Sequence, residues 1–258
     1  MKAVILAGGY GTRISEESCL RPKPMIEIGG APILWHILKY YSHFGVSDFI
    51  ICCGYKGFMI KKYFADYYLH HSDVTFDFAN GGKVEVHSNA AEPWRVTVVD
   101  TGLDTQTGGR IWKIRKYVEG ERFLMTYGDG VSNIDLPELL DTHSKSGKAV
   151  TISAVQPGGR FGMININGRD GTVIGFREKS KEDGGWINAG FMVMEPEAFD
   201  YLDSGSVLER APMERLCADG KLGAYRHYGF WACMDTQRDK DALEEQWSGG
   251  SPAWKLWK

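Results

Sequence analysis

The residues best suited to chemistry in this chain are a glycine loop ending in a cation, a lysine held between prolines, and two aspartates that close apolar runs. Ala7-Gly8-Gly9-Tyr10-Gly11-Thr12-Arg13 follows the apolar stretch 2–6 directly. Glycines let backbone N–H groups approach phosphate oxygens, and a helix starting after the loop would add its positive end. Arg13 offers a fork of donors matched to phosphate. The loop is not a dinucleotide fingerprint, because the third glycine position after Gly9-Tyr10-Gly11 holds Ile14, and no Gly-Lys-Ser/Thr follows for a Walker loop. An isolated glycine pair is usually an ordinary turn. Placement straight after a strand, with Thr12-Arg13 attached, favours phosphate binding here.

Further on, the prolines of Arg21-Pro22-Lys23-Pro24-Met25 keep the segment out of helix and stiffen it, so Lys23 is held at a defined place. A lysine in such a loop is normally solvated; beside a phosphate cradle it becomes a charge partner. The stretch 122–127 ends on Gly128-Asp129-Gly130, and ligands in open α/β sheets sit beyond the carboxyl ends of strands. A second apolar run, 230–234, ends at Asp235. Each aspartate also has a plainer reading, Asp129 as a turn former and Asp235 as the N-cap of a helix over 236–247. Between these lie residues 92–102 and then Thr105-Gln106-Thr107-Gly108-Gly109-Arg110, which combine small residues with hydroxyl and amide groups able to read a base edge. Glu178 has the two oxygens needed to accept from a pair of sugar hydroxyls and Lys179 the charge to meet a phosphate, unless both belong to an exposed ion-pair loop over 177–183.

The elements that must position these groups are legible in the apolar periodicity. Buried strands are expected at 2–6, 48–54, 122–127 and 149–154, with β-leaning runs at 74–78, 83–87 and 96–99. Helical spacing marks 32–44, 57–69, 107–118 and 136–144, and the second half mixes strands at 162–165, 172–176 and 187–194 with helices near 197–203, 207–219 and 236–247. Alternation of strands and helices predicts an α/β fold: a doubly wound, mostly parallel, Rossmann-like mixed sheet with a β-rich insertion. One domain over 1–258 is expected, with 1–130 mainly the nucleotide half, 131–245 mainly the sugar half and 246–258 a tail.

Composition excludes several classes. The chain has 258 residues, 43% of them hydrophobic, enough for a full core, and a net charge of −3 that marks neither a nucleic-acid nor a membrane-surface binder. No apolar stretch approaches the roughly 18 residues of a membrane span, and the short run after Met1 is unlike a secretory signal. The 5 cysteines form no C-x-x-C pair and read as buried reduced thiols, so the protein is expected to be soluble and cytoplasmic. His70, His71 and His87 lack a complete metal-ligand spacing. Trp247, Trp254 and Trp257 would be costly in water and are expected to pack on the domain or a neighbouring subunit.

AGGYGTR followed by RPKPM resembles the N-terminal signature of the nucleoside-diphosphate-sugar pyrophosphorylases. The resemblance implies an enzyme that joins a nucleoside triphosphate to a sugar 1-phosphate and releases pyrophosphate. It implies nucleotide contacts from Leu6, Ala7, Gly8, Gly9, Tyr10, Gly11, Thr12, Arg13, Lys23, Thr105, Arg110 and Gly128, and catalytic roles for Arg13, Lys23, Asp129 and Lys179. Asp129 and Asp235 match the positions that hold Mg²⁺ in the family, and such a carboxylate pair with substrate phosphates suits that ion. Arg160-Phe161-Gly162, Phe176-Arg177-Glu178-Lys179 and Trp186-Ile187-Asn188 resemble the sugar segments, which implies Gly162, Glu178, Lys179 and Asn188 as sugar contacts; Ser180 stands where the family commonly has proline. EPW, VDTG, TGGR, FLMTYGDGV and FWACMDT together are similar to members that pair CTP with glucose 1-phosphate. A homo-oligomer, a hexamer, is also implied. The competing readings are a thymidylyl- or uridylyltransferase and, outside the enzymes, a regulatory nucleotide-binding module.

Overall fold

The computed structural model of the chain describes residues 1–118, 120–156, 163–166, 173–177 and 185–258, the side chains of residue 15 and of the two short stretches excepted. Seven strands form the main sheet: β1 (Lys2–Ala7), β2 (Asp48–Cys53), β3 (Arg95–Asp100), β4 (Phe123–Tyr127), β5 (Val150–Val155), β6 (Ile187–Met194) and β7 (Leu222–His227). Their order is β7-β5-β6-β4-β1-β2-β3. Every neighbouring pair is parallel except at β6, which runs antiparallel to β4 and β5. The doubly wound, mostly parallel α/β expectation therefore holds.

Side-chain alternation builds a core on each face of this sheet. Along β1, Ala3, Ile5 and Ala7 join Phe49, Ile51 and Cys53 of β2 on one face, while Val4 and Leu6 join Ile50 and Cys52 on the other. A strand covered on both sides needs apolar residues at every position, which is why these two read as continuous runs. Helix α1 (Ile33–His43) lays Ile33, Leu34, Ile37, Leu38 and Tyr41 on the first face. Helices α2 (Gly57–His70), α3 (Thr107–Lys113), α4 (Leu136–Ser146), α5 (Ala211–Ala218) and α6 (Gln237–Ser248) complete the layers. The single helix expected over 107–118 breaks at Ile114, and Arg115–Val118 forms a separate turn. Ile111, Ile114 and Val118 still share one buried face, which is the spacing that suggested an unbroken helix.

The stretch expected as a helix near 197–203 is a 3₁₀ segment, Pro196–Tyr201. Three antiparallel hairpins among the described residues stand apart from the main sheet, joining Glu27–Ile28 to Ala31–Pro32, Ser72–Asp77 to Lys83–Asn89 and Met163–Ile166 to Val173–Arg177. Strand β7 has no counterpart in the sequence reading, since only Tyr225 and His227 of its six residues are buried. A short ladder pairing Gly130–Ser132 with Trp231–Cys233 was likewise not anticipated.

All five cysteines are free; Cys52 and Cys53 are buried as expected, but Cys19 and Cys217 are exposed, because neither lies in an apolar run. Trp254 is buried, stacking near Phe230 and Trp247, and with Trp257 it surrounds His36, so the C-terminal tryptophans pack on the chain itself. Among the described residues no helix is long and apolar enough to cross a membrane.

Candidate active site

Chain order reverses direction across the sheet between β1 and β4, and loops diverging at such a point leave a crevice beyond the carboxyl ends of the strands. A cleft of about 450 Å³ lies there. One wall is the glycine loop, Leu6 to Arg13, with Lys23; the other is 103–107, and Tyr127, Gly128 and Asp129 border it from the end of β4. Gly11 has φ +68° and packs against Ser18, a conformation a side chain would strain. Gly128 donates to Leu6 O at 2.9 Å, and a side chain there would press on Pro24 and on that same carbonyl. Small residues are thus needed where β1 and β4 diverge. The helix expected to follow the glycine loop is only a 3₁₀ turn, Thr12–Ile14, and one further turn, Ser15–Ser18. Too few aligned peptides are present for a useful dipole, so the groups here suited to an anion are the loop N–H groups and nearby cations.

A cluster of opposite charges sits at one end of this cleft. Lys23, in the 3₁₀ turn Lys23–Met25, places its ammonium 2.7 Å from Asp129 Oδ2 and 2.6 Å from Asp235 Oδ1. Arg13 Nη1 meets Asp235 Oδ2 at 2.7 Å, its side chain 74% exposed. Burial alone would lower the Lys23 pKa, but the two carboxylates outweigh it and the ammonium is held above its ordinary value. Burial likewise opposes ionisation of Asp235, yet Lys23 and Arg13 keep its carboxyl below the usual range. The ladder between Gly130–Ser132 and Trp231–Cys233 creates this juxtaposition, reinforced by Met234 N donating to Asp129 O at 2.9 Å.

Asp235 is not a helix cap. Thr236 caps α6, accepting from Asp239 N, while the Asp239 carboxylate returns a bond to the Thr236 backbone. Both Asp235 oxygens are left to face Arg13 and Lys23. Asp129, Cys233 and Asp235 present ligand atoms within 4.8 Å of one another. Burial raises the Cys233 pKa and keeps the thiol neutral, so the available donors are hard carboxylate oxygens. That donor set, already gathered around one positive charge, fits an oxygen-preferring divalent cation.

Arg110 borders the cleft from beneath. Its guanidinium donates to Cys53 O at 3.0 Å, Thr101 Oγ1 at 2.7 Å, Gly102 O at 2.8 Å, Gly8 O at 3.0 Å and Leu103 O at 3.1 Å. Its donors are thus committed to the two loops that form the walls, with no carboxylate in ion-pair contact among the described residues. A buried, unpaired cation also adds positive potential under the glycine loop. Thr105 donates to Thr101 O at 2.6 Å and faces the cleft beside Asp104 and Gln106.

On the sugar side, Asn188 lies at the exposed start of β6, its Oδ1 accepting from Gly190 N at 2.8 Å. Gly190, φ +88°, packs against the ring of Tyr127, which hydrogen-bonds Glu209. Gly162, Glu178 and Lys179 lie outside the described residues. Tyr127, Cys233, Asp104 and Glu209 were not singled out from the sequence; the last two sit in loops without any motif to mark them.

The profile of the nucleotidyl transferase family matches residues 2–224. The chain is 53% identical to the glucose-1-phosphate cytidylyltransferase of Salmonella typhimurium and 52% identical to that of Salmonella typhi, each over all of both chains. Among solved structures it is similar to HddC from Yersinia pseudotuberculosis, with a TM-score of 0.69, 24% identity and coverage of 95% of this chain and 99% of that one. That last likeness speaks to fold alone.

Proposed function

The chain belongs to the nucleotidyl transferase family, and within it we propose that it transfers the cytidylyl group of CTP to glucose 1-phosphate, giving CDP-glucose and pyrophosphate. Full-length identity of 53% to a glucose-1-phosphate cytidylyltransferase supports the substrates. The observation that supports the chemistry is the Asp129–Lys23–Asp235 cluster closing one end of a cleft walled by the glycine loop. Incubated with CTP, glucose 1-phosphate and Mg²⁺, the protein should yield CDP-glucose, identified by phosphorus NMR, with one pyrophosphate per CTP. Folded protein that leaves CTP intact would overturn the reading.

In the proposed reaction a phosphate oxygen of glucose 1-phosphate attacks the α-phosphorus of CTP in line, the new P–O bond forms, and the bond to the β-phosphate oxygen breaks. The sugar phosphate is already ionised near neutral pH, so a general base is not required. Catalysis then rests on positioning and charge neutralisation. Backbone N–H groups of Gly8 to Thr12 line the triphosphate, with Arg13 and Lys23 opposing the charge that builds on departing pyrophosphate. By the family resemblance, Lys179 is assigned to the sugar phosphate and Glu178, Gly162 and Asn188 to the sugar. Mg²⁺, held by Asp129 and Asp235, would supply the charge that draws the α-phosphate and the attacking phosphate together. Arg110 acts at one remove, fixing both walls of the cleft.

A homo-oligomer, read as a hexamer, goes with this function in a cytoplasmic enzyme. Phe76 and Phe78, exposed at 50% and 84% on the hairpin after α2, support a covered interface there. Light scattering tests it, and a monomer at working concentration would count against it.

A further inference from the structure

Cytosine and uracil differ at position 4, where one has an amino donor and the other a carbonyl acceptor. If the triphosphate takes the glycine loop, Arg13 and Lys23, the wall of the same cleft left to meet the base is residues 103–107. Most polar side chains of that wall are committed elsewhere. Thr105 donates to Thr101 O at 2.6 Å, and Thr107 donates to Glu209 Oε2 at 2.6 Å while accepting from Leu208 N. Arg110 is turned onto loop carbonyls. Gln106 has both a donor and an acceptor, so it suits either base.

Asp104 differs from all of these. It is exposed at the cleft, and its Oδ1 accepts the Tyr10 hydroxyl at 2.9 Å across the gap between the two walls. The Tyr10 ring is braced on Tyr55, centroids 5.5 Å apart. That hydrogen bond to Asp104 raises the Tyr10 pKa, so the phenol keeps its proton and points it at the carboxylate. Both side chains then turn only lone pairs toward the cleft, a surface that welcomes a donor and repels an acceptor.

We propose that Asp104, held by Tyr10, selects cytosine over uracil by accepting from the 4-amino group and repelling the 4-carbonyl. The inference rests on the cytidylyltransferase reading above and adds a specificity-determining residue to it. The test is steady-state turnover with CTP and with UTP, at saturating glucose 1-phosphate and Mg²⁺, for wild type, Asp104→Asn and Tyr10→Phe. Wild type should prefer CTP. Asp104→Asn, whose amide offers a donor, should lower the CTP-to-UTP ratio of kcat/KM by about tenfold or more, and Tyr10→Phe should lower it less. A ratio in Asp104→Asn within about twofold of wild type overturns the proposal, and includes the case of a carboxylate that holds the ribose diol, since CTP and UTP would then lose alike. Wild type that uses UTP as well as CTP overturns this inference and leaves the reaction standing. Wild type that uses neither overturns the reaction and the inference together.

Discussion

Lys23 Nζ stands 2.7 Å from Asp129 Oδ2, joining residues 106 positions apart at the end of the glycine-loop cleft. A buried ammonium between two carboxylates is a compensated arrangement: removing one member leaves a charge desolvated without its partner. Selection for stability alone has little use for it, whereas a site that must hold a metal ion and a triphosphate needs both signs close together.

Asp129→Asn should therefore lower kcat by about a hundredfold or more, because the amide cannot neutralise a cation, while the fold survives. Circular dichroism and pyrophosphate release on the same preparation check this. A folded variant with near-normal turnover would overturn the proposed metal role of Asp129.

Arg110→Met should act differently. It leaves the carbonyls of Gly8, Cys53, Gly102 and Leu103 without their shared donor, so stability should fall by about 3 kcal/mol and KM for the nucleotide should rise more than kcat falls. Urea unfolding and steady-state kinetics measure the two effects. Arg110→Lys should restore little, since one ammonium cannot span five acceptors.

His36 predicts an acid-sensitive tail. Burial pushes its pKa down to about 4, against partial opposition from the backbone at Ile28 and Ala31. The neutral ring fits its surroundings: Nε2–H donates to Ile28 O at 2.8 Å, and Nδ1 accepts from Trp254 Nε1 at 3.4 Å. An unfolded histidine titrates near 6.5, so below that pH the unfolded chain takes a proton that the fold refuses. Stability from this group, about 3 kcal/mol, is complete above roughly pH 6.5 and is lost as pH falls toward 4. Melting curves followed by tryptophan fluorescence should drop over that window, and less steeply in His36→Gln.

Trp254→Ala should cost about 3–5 kcal/mol, since its indole is buried among Phe230, Trp247 and His36. A urea midpoint within error of wild type would mean the tail contributes nothing to the fold.

Much of the parallel sheet was legible in the sequence because β1 and β2 are buried on both faces and leave unbroken apolar runs. β7 was not, for an edge strand with only Tyr225 and His227 inward has too weak a period to stand out from a loop. The glycine loop, Lys23 and Asp129 were visible as local patterns. The status of Asp235 was not, since a residue just before a helix looks like its cap until Thr236 and Asp239 are seen to close a capping box. Arg110 stood out only as the end of a glycine-rich motif; its five carbonyl and hydroxyl partners come from three separate stretches of chain, at 8, 53 and 101–103, information no local spacing contains. Asp104 and Tyr10, 94 positions apart, meet only through the folding of two loops.

The central claim is best tested by following pyrophosphate release from purified protein with Mg²⁺, glucose 1-phosphate and each of CTP, UTP, dTTP, ATP and GTP in separate reactions. Strong release with CTP, and little with the other four, is the predicted result. Release with a different nucleotide would keep the transferase but contradict the cytidylyl assignment, and no release from folded protein with any of them would contradict the account as a whole.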